Sequence, residues 1–151
     1  MEASELVWRV YADNRTDARH HETQRSTVTS VLLAIASGIM TIAGIQWKAG
    51  TSPHWSLGVL LLLVGAVGVL FARTLYERCW WHVRRGEECL QWLAQTVPDA
   101  AIIATLERAD EKHERQFPGA SEAPLARLWY GPHIAVMVLG VLLVALPRFV
   151  H

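Results

Sequence analysis

The sequence predicts an all-α integral membrane protein with three transmembrane helices, and the distribution of its apolar residues carries this prediction. The chain has 151 residues, of which 52% are hydrophobic and only 19% are charged. The apolar residues are concentrated in blocks, which is unusual for a soluble domain of this size. The block from Thr27 to Trp47 contains no charged residue. About 20 helical residues span a hydrocarbon core of about 30 Å, so this block predicts the first span.

Residues 1–26 precede the first span and predict a cytoplasmic helix that continues into it without a break. They contain no proline and no glycine, and their charged side chains recur three or four residues apart. They also lack the apolar core of a signal peptide, so we expect no cleaved secretory signal. A solvated surface helix and a helix that contacts other subunits are both compatible with this pattern.

Two further apolar blocks complete the membrane region. The second span, residues 56–72, forms a transmembrane hairpin with the first across residues 27–72, and Pro53 lies in the tight turn between them. Its length of about 17 residues is near the lower limit for crossing a bilayer. The third span is predicted over residues 128–147. The Gly131-Pro132 pair near its start predicts either a kink or a helix that begins at Pro132.

The residues between spans two and three, 73–117, predict a cytoplasmic helical hairpin. Its first arm is helix-compatible from Thr74 to Gln95, with a possible bend at Gly86. Its second arm, from Asp99 to Gln116, has apolar residues on one side and charged residues on the other. We expect the second arm to pack antiparallel on the first. An aromatic cluster lies at the start of the first arm and consists of Tyr76, Trp80 and Trp81. We interpret it as an interfacial belt in preference to a ligand-stacking box.

The basic residues predict how the chain is oriented. If it crosses the membrane three times, all but Lys48 and Arg148 of its 14 lysines and arginines fall on one side. The positive-inside rule then places the N-terminus and residues 73–117 in the cytoplasm and the C-terminus outside. Cys79 and Cys89 are too few for a disulfide scaffold and fit a reduced compartment. The formal net charge of zero predicts no nucleic-acid partner.

The best candidate for metal or catalytic chemistry is the polar run His20-His21-Glu22, with Asp17 nearby. Asp17 and His21 are four residues apart and share a helix face, a spacing that metal ligands use. A complete site needs three or four ligands, and no second HxxxH or CxxC pair is present. We therefore expect no metal and no cofactor. The sequence also lacks nucleophile and phosphate-loop motifs, so we expect no enzyme, and a membrane-embedded enzyme that uses this run is the weakest alternative.

Small residues three and four apart predict close helix contacts inside the membrane. Packing of the three spans within one chain accounts for one such stripe, whereas two stripes favour a homo-oligomer, a tetramer or larger. The second-span stripe consists of Gly65, Gly68 and Ala72. The first-span stripe consists of Ser30, Ala34, Ser37, Gly38 and Thr41.

These stripes lead to a functional hypothesis. In an oligomer within the lipid bilayer, the first-span stripe would line a narrow, weakly polar path that intervening apolar residues gate by dewetting. We expect no ionisable residue within the spans, which disfavours proton relay and ion-coupled transport through the bilayer centre. Basic residues before the span would form a cytoplasmic vestibule for a soluble signalling partner or an anionic, nucleotide-type ligand. The vestibule residues are Arg15, Arg19, His20, His21 and Arg25.

The alternative from a different class is a non-conducting membrane anchor that docks a soluble partner on its cytoplasmic helices. A pore predicts that Ser37→Leu or Thr41→Leu changes flux while the oligomer persists. An anchor predicts that the same changes are silent unless they break assembly.

The front of the chain has a characteristic layout. The segment VYADNRTDARHHETQRSTVTS leads straight into span one, and the turn TSPHWS, span two and a helical extension after Arg73 follow. In this layout, residues 5–95 resemble the SLATT-type small membrane effectors of bacterial anti-phage defence operons. The resemblance implies a bacterial inner-membrane protein that permeabilises the membrane or forms a channel in infected cells, released by a partner that makes or senses a nucleotide signal. The third span departs from the two-span plan of that group.

Overall fold

The computed structural model describes residues 2–51, 54–98, 101–117 and 125–145. Within these ranges the chain is helical and contains no β-strand. Three of its helices are long and apolar enough to cross a membrane, which confirms the predicted all-α class and the number of candidate spans. The helices are α1 (Ala3–Lys48), α2 (Trp55–Thr96), α3 (Ile102–Gln116) and α4 (Leu125–Ala145).

The two long helices, α1 and α2, both extend beyond the apolar blocks that predict the first two spans. Helix α1 is continuous through the boundary between its charged first half and its apolar second half, as the absence of proline and glycine before the span predicts. Helix α2 likewise extends beyond the predicted second span as one helix that contains Gly86. A single glycine inside a helix costs only about 1 kcal/mol, so the helix can continue through this position.

Helix α4 begins at Leu125 and includes Pro132, so a helix start at Pro132 is wrong. Proline is tolerated inside spanning helices because neighbouring groups satisfy the carbonyl that it leaves without a donor. The predicted end of the span at Pro147 lies outside the described residues, as do Arg148 on the far side of the span and Pro53 in the first turn.

The helices divide into two compact units. One unit contains residues 1–22 and 76–124, and the other contains residues 23–75 and 125–151. Helices α1 and α2 therefore contribute to both units.

In the first unit, α1 and α2 pack as an antiparallel pair. Asn14 contacts His82, while Tyr11, which precedes Asn14, lies against Gly86, which follows His82. A Cβ at Gly86 would lie 3.5 Å from Cδ2 of Tyr11, an ordinary packing distance, so the tyrosine ring fits closely over the glycine. Ala18 of α1 is also buried, at 5% exposure.

Helix α3 buries no residue among those that the structure describes. Its apolar side chains Ile103 and Leu106 are 36% and 44% exposed. The antiparallel packing of α3 on α2 stays a prediction, because no described residue of α3 is buried. The helix begins at Ile102, and the predicted start at Asp99 lies outside the described residues. The composition explains this result, because only the first turns of α3 carry large apolar residues and the remainder, ERADEKHERQ, is polar.

In the second unit, α1, α2 and α4 surround one small core. Contacts that join Arg25 to Trp129 and Thr29 to His133 show that α1 and α4 run parallel. Helix α2 runs antiparallel to α4, since Gly58 lies near Gly140, whereas Gly68, farther along α2, lies near the earlier residue His133. The core residues are Ala36 and Ala43 of α1, Leu61 of α2, and Val136 and Leu143 of α4.

Helix α2 has one buried edge along its whole length. The buried positions recur at intervals of three, four and seven residues, the heptad spacing of helices that pack side by side. Most of these residues are small, which allows close approach of the neighbouring backbones. The buried positions are Gly58, Leu61, Gly65, Gly68, Ala72, Cys79, Gly86 and Leu93.

Candidate functional site

The first-span stripe lies on the outer face of α1. The packed face of this helix, which contains Thr29, Ala36 and Ala43, is buried against α2 and α4. A Cβ at Gly38 would meet no other atom within 4 Å. The stripe is therefore available to a partner outside the chain. All five of its residues, Ser30, Ala34, Ser37, Gly38 and Thr41, are exposed.

The hydroxyl groups of this stripe are already bonded to their own helix. Ser37 Oγ donates to the carbonyl oxygen of Leu33 at 2.8 Å, and Thr41 Oγ1 donates to the carbonyl oxygen of Ser37 at 2.9 Å. A hydroxyl whose proton is used in this way still has acceptor lone pairs. The outer face of α1 thus offers oxygen acceptors on a surface that carries no charge.

The second-span stripe is used inside the chain. Gly65, Gly68 and Ala72 are all buried. A Cβ at Gly65 would lie 2.8 Å from the carbonyl oxygen of His133, and a Cβ at Gly68 would overlap the His133 imidazole. The stripe therefore provides the close contact between α2 and α4.

His133 is an ionisable residue within the third span, and sequence reasoning missed it. It is only 1% exposed, and its Nε2 lies 3.3 Å from Thr29 Oγ1 on α1. The expectation that no ionisable residue lies within the spans is therefore wrong. The available signal was a single histidine inside an apolar run, since a titratable side chain at such a position indicates a structural or functional role.

Arg25 is the one predicted vestibule residue that is buried. It is 7% exposed, and its Cζ lies 4.2 Å from the ring centroid of Trp129, within the range of a cation–π contact. This arginine therefore belongs to the packed contact between α1 and α4. The remaining vestibule residues lie on the first part of α1, where Arg15, Arg19 and His20 are exposed and His21 is half-buried.

His21 instead takes part in a polar cluster between α1 and α2, which we call the His82 cluster and which contains Asn14, Asp17, His21 and His82. The His82 Nδ1 lies 3.1 Å from Asn14 Oδ1 and 3.7 Å from Asp17 Oδ2. The ring centroids of His21 and His82 are 5.4 Å apart. Asn14 is buried at 5% exposure, so the cluster extends into the contact between the helices.

The amide of Asn14 defines the hydrogen bonding of this cluster. Its Nδ2 donates to the carbonyl oxygen of Val10 at 2.7 Å, so its Oδ1 is the acceptor that faces His82. Because a carbonyl oxygen cannot donate, the proton of this hydrogen bond lies on Nδ1 of His82. Asn14 and His82 are 68 residues apart, so no local sequence pattern pairs them.

The geometry gives no metal centre around the predicted His20-His21-Glu22 run. Among the residues that the structure describes, no group of three or more histidine, cysteine, aspartate or glutamate side chains is arranged to hold a metal ion. Asp17 and His21 share a helix face, as their spacing predicts. His82 of α2 lies close to both, with its Nδ1 near the Asp17 carboxylate and its ring near the His21 ring.

Comparisons of the chain with protein-family models, with curated proteins and with solved structures give no match.

Proposed function

We propose that this chain forms a homo-oligomeric ion channel or pore, a tetramer or larger, in the bacterial inner membrane, with the first-span stripe facing the conducting path. One observation supports this proposal above the others. The chain has two small-residue stripes, and its own folding buries the second and leaves the first exposed.

The physical chemistry of lipid supports self-association through the exposed stripe. Lipid tails are as apolar as leucine, so helices in a bilayer associate through close packing and through polar contacts between them. Ser37 and Gly38 provide a flat, weakly polar surface at which a second helix can approach closely. Large exposed side chains such as Val31 and Ile42, which are 54% and 49% exposed, lie beside the stripe on the same helix. These side chains are suited to contact lipid or to narrow a path by dewetting.

The proposed orientation follows the basic residues, with the N-terminus in the cytoplasm and the C-terminus outside. The exposed Arg15, Arg19 and His20 then lie on the cytoplasmic part of α1. Guanidinium groups bind phosphate oxygens in a bidentate manner, so an anionic nucleotide-type ligand is the proposed regulator. The resemblance to SLATT-type effectors gives the biological setting of the proposal, which is depolarisation or permeabilisation of the membrane during phage infection.

Cysteine cross-linking tests whether the stripe faces another copy. In a background in which Cys79 and Cys89 are alanine, Gly38→Cys is compared with Leu63→Cys, a lipid-facing position on α2 that is 58% exposed. We expect oxidation in membranes to give disulfide-linked dimers from Gly38→Cys and few from Leu63→Cys. Equal yields from both positions would contradict a specific contact at the stripe.

A second candidate function is the non-conducting anchor that docks a soluble partner. The observation that favours it is α3, which buries no residue and exposes Ile103 and Leu106. An anchor predicts that Leu106→Glu abolishes partner capture and biological activity while Ser37→Leu has no effect. A pore predicts that Ser37→Leu changes activity.

A further inference from the structure

Aromatic and basic side chains lie together on the surface of α2, just after its apolar run. We call this group the aromatic–basic shelf. It consists of Tyr76, Trp80, Trp81, Arg84 and Arg85. Trp80 and Trp81 are 44% and 56% exposed. Tyr76 and Trp80 meet edge to face with ring centroids 6.2 Å apart, and Arg85 Cζ lies 4.6 Å from the centroid of Trp81. A shallow, open pocket of about 500 Å³ lies on this surface, lined by the shelf residues other than Arg85 and by Glu77.

The position of the shelf along α2 matches the headgroup region of a bilayer. The predicted second span ends at residue 72 and Arg73 follows it, so the hydrocarbon core ends near Arg73. At 1.5 Å per residue, Tyr76 is about 5 Å and Trp80 about 11 Å farther along the same helix. The headgroup layer extends about 5–8 Å beyond the hydrocarbon on each side. Helical side chains also lean toward the N-terminus of their helix, so Arg84 leans back toward that layer.

The charge of the shelf region selects the kind of lipid. The shelf and its pocket contain two arginines, Arg84 and Arg85, and one carboxylate, Glu77, a formal charge of +1. Anionic lipid surfaces attract such basic segments by about 1 kcal/mol for each arginine or lysine near the surface. A guanidinium matches the phosphate group in geometry as well as in charge. The indoles supply amphipathic rings, which prefer the boundary between acyl chains and water.

We propose that the aromatic–basic shelf is a binding site for the headgroup of an anionic phospholipid. Arg84 donates hydrogen bonds to the lipid phosphate, and Trp80 and Trp81 pack on the glycerol and the first part of the acyl chains. The shallow and open form of the pocket suits a headgroup that enters from the membrane side. This site does not depend on the proposed pore, because it requires only that α2 crosses a bilayer.

Photo-cross-linking with lipid probes tests this site on the full-length chain in lipid nanodiscs. Two probes carry the same photoreactive group near the headgroup, one on phosphatidylglycerol and one on phosphatidylcholine, and the labelled peptides are identified by mass spectrometry. We expect phosphatidylglycerol to label the peptide that contains Trp80 and Trp81 more strongly than phosphatidylcholine does. We expect Arg84→Gln to lower the phosphatidylglycerol label about fivefold, the equivalent of about 1 kcal/mol. The matched control, Arg108→Gln on exposed α3, should leave the label unchanged.

Each remaining outcome of the experiment has a defined meaning. Arg84→Lys keeps the charge and should retain most of the label, which distinguishes headgroup binding from a structural role of Arg84. Equal labelling by the two probes, or an equal loss with Arg84→Gln and Arg108→Gln, would overturn the proposal. Competition of the label by soluble inorganic phosphate or glycerol phosphate would assign a phosphate site instead of a lipid site. A cross-link from this peptide to a second copy of the chain would show that a neighbouring subunit covers the shelf and would also overturn the proposal.

Discussion

Gly68→Ala tests the contact between α2 and α4 at its closest point. A methyl group at position 68 would overlap the imidazole of His133, which is 1% exposed and therefore has no open space into which to move. The matched control is Gly38→Ala on α1, since a Cβ at Gly38 meets no atom within 4 Å. Both substitutions replace a glycine inside a spanning helix, so they change the intrinsic helix propensity in the same direction.

The expected magnitudes follow from two opposing effects. Replacing glycine by alanine in a helix interior stabilises it by about 1 kcal/mol. Overpacking at Gly68 costs about 1–3 kcal/mol, and displacement of His133 from Thr29 costs about 1 kcal/mol more. Gly68→Ala should therefore lower the free energy of unfolding by about 1–3 kcal/mol, whereas Gly38→Ala should raise it by about 1 kcal/mol. The propensity effect cancels in the difference between the variants, which should be about 2–4 kcal/mol.

The assay is unfolding by SDS in mixed micelles, followed by tryptophan fluorescence. A detergent in which the chain is monomeric restricts the measurement to contacts within one chain. If Gly68→Ala were as stable as Gly38→Ala, the packing of His133 over Gly68 would have no energetic effect, which would contradict a close contact between α2 and α4 at this point.

Two further predictions concern the polar contacts between helices, and the same unfolding assay measures both. Thr29→Val removes the hydroxyl that meets His133 Nε2 and should lower the free energy of unfolding by about 0.5–1.5 kcal/mol. The control Thr41→Val, on the exposed stripe, should change the free energy of unfolding by less than about 0.5 kcal/mol. An equal effect at both positions would show that the contact between Thr29 and His133 is not stabilising. Asn14→Ala leaves the His82 Nδ1–H without its amide acceptor and should cost about 1–3 kcal/mol, and an unchanged stability would contradict the described hydrogen bond.

The sequence predicts the spanning helices well because their signals are local. The uninterrupted apolar block after Thr27 and the absence of proline and glycine before it are enough to predict one continuous α1. The spacing of Gly65, Gly68 and Ala72 likewise predicts a packed helix edge, and these residues are buried. Patterns of this kind depend only on residues within a few turns of one another.

The contacts between helices depend on distant residues, and the sequence does not reveal them. Asn14 meets His82 and Thr29 meets His133 across intervals of 68 and 104 residues. No local spacing specifies these pairs, although the heptad spacing along α2 indicates which edge of that helix faces a neighbour. Arg25 is a similar case, because a basic residue before a span predicts a solvated charge, and only the position of Trp129 on α4 shows that it is buried.

Helix α3 shows a limit of amphipathicity as evidence. Its pattern of apolar and charged residues correctly predicts a helix, but it does not predict which surface, if any, covers the apolar side. Within the described residues, Ile103 and Leu106 remain exposed. An amphipathic pattern indicates that one side of a helix is apolar, but the burial of that side depends on whether another surface packs against it.

Ion flux from liposomes is the direct test of the proposed pore. The purified chain is reconstituted into vesicles loaded with an ion reporter, and flux is measured with and without an applied membrane potential for the wild type, Ser37→Leu and the control Leu63→Ile on the outer face of α2. We expect flux in the wild type and in Leu63→Ile, and a changed flux in Ser37→Leu while cross-linking still shows the oligomer. Vesicles that remain tight around inserted, oligomeric protein would contradict a pore that is open without its regulator. A flux that Ser37→Leu leaves unchanged would contradict a path lined by the first-span stripe.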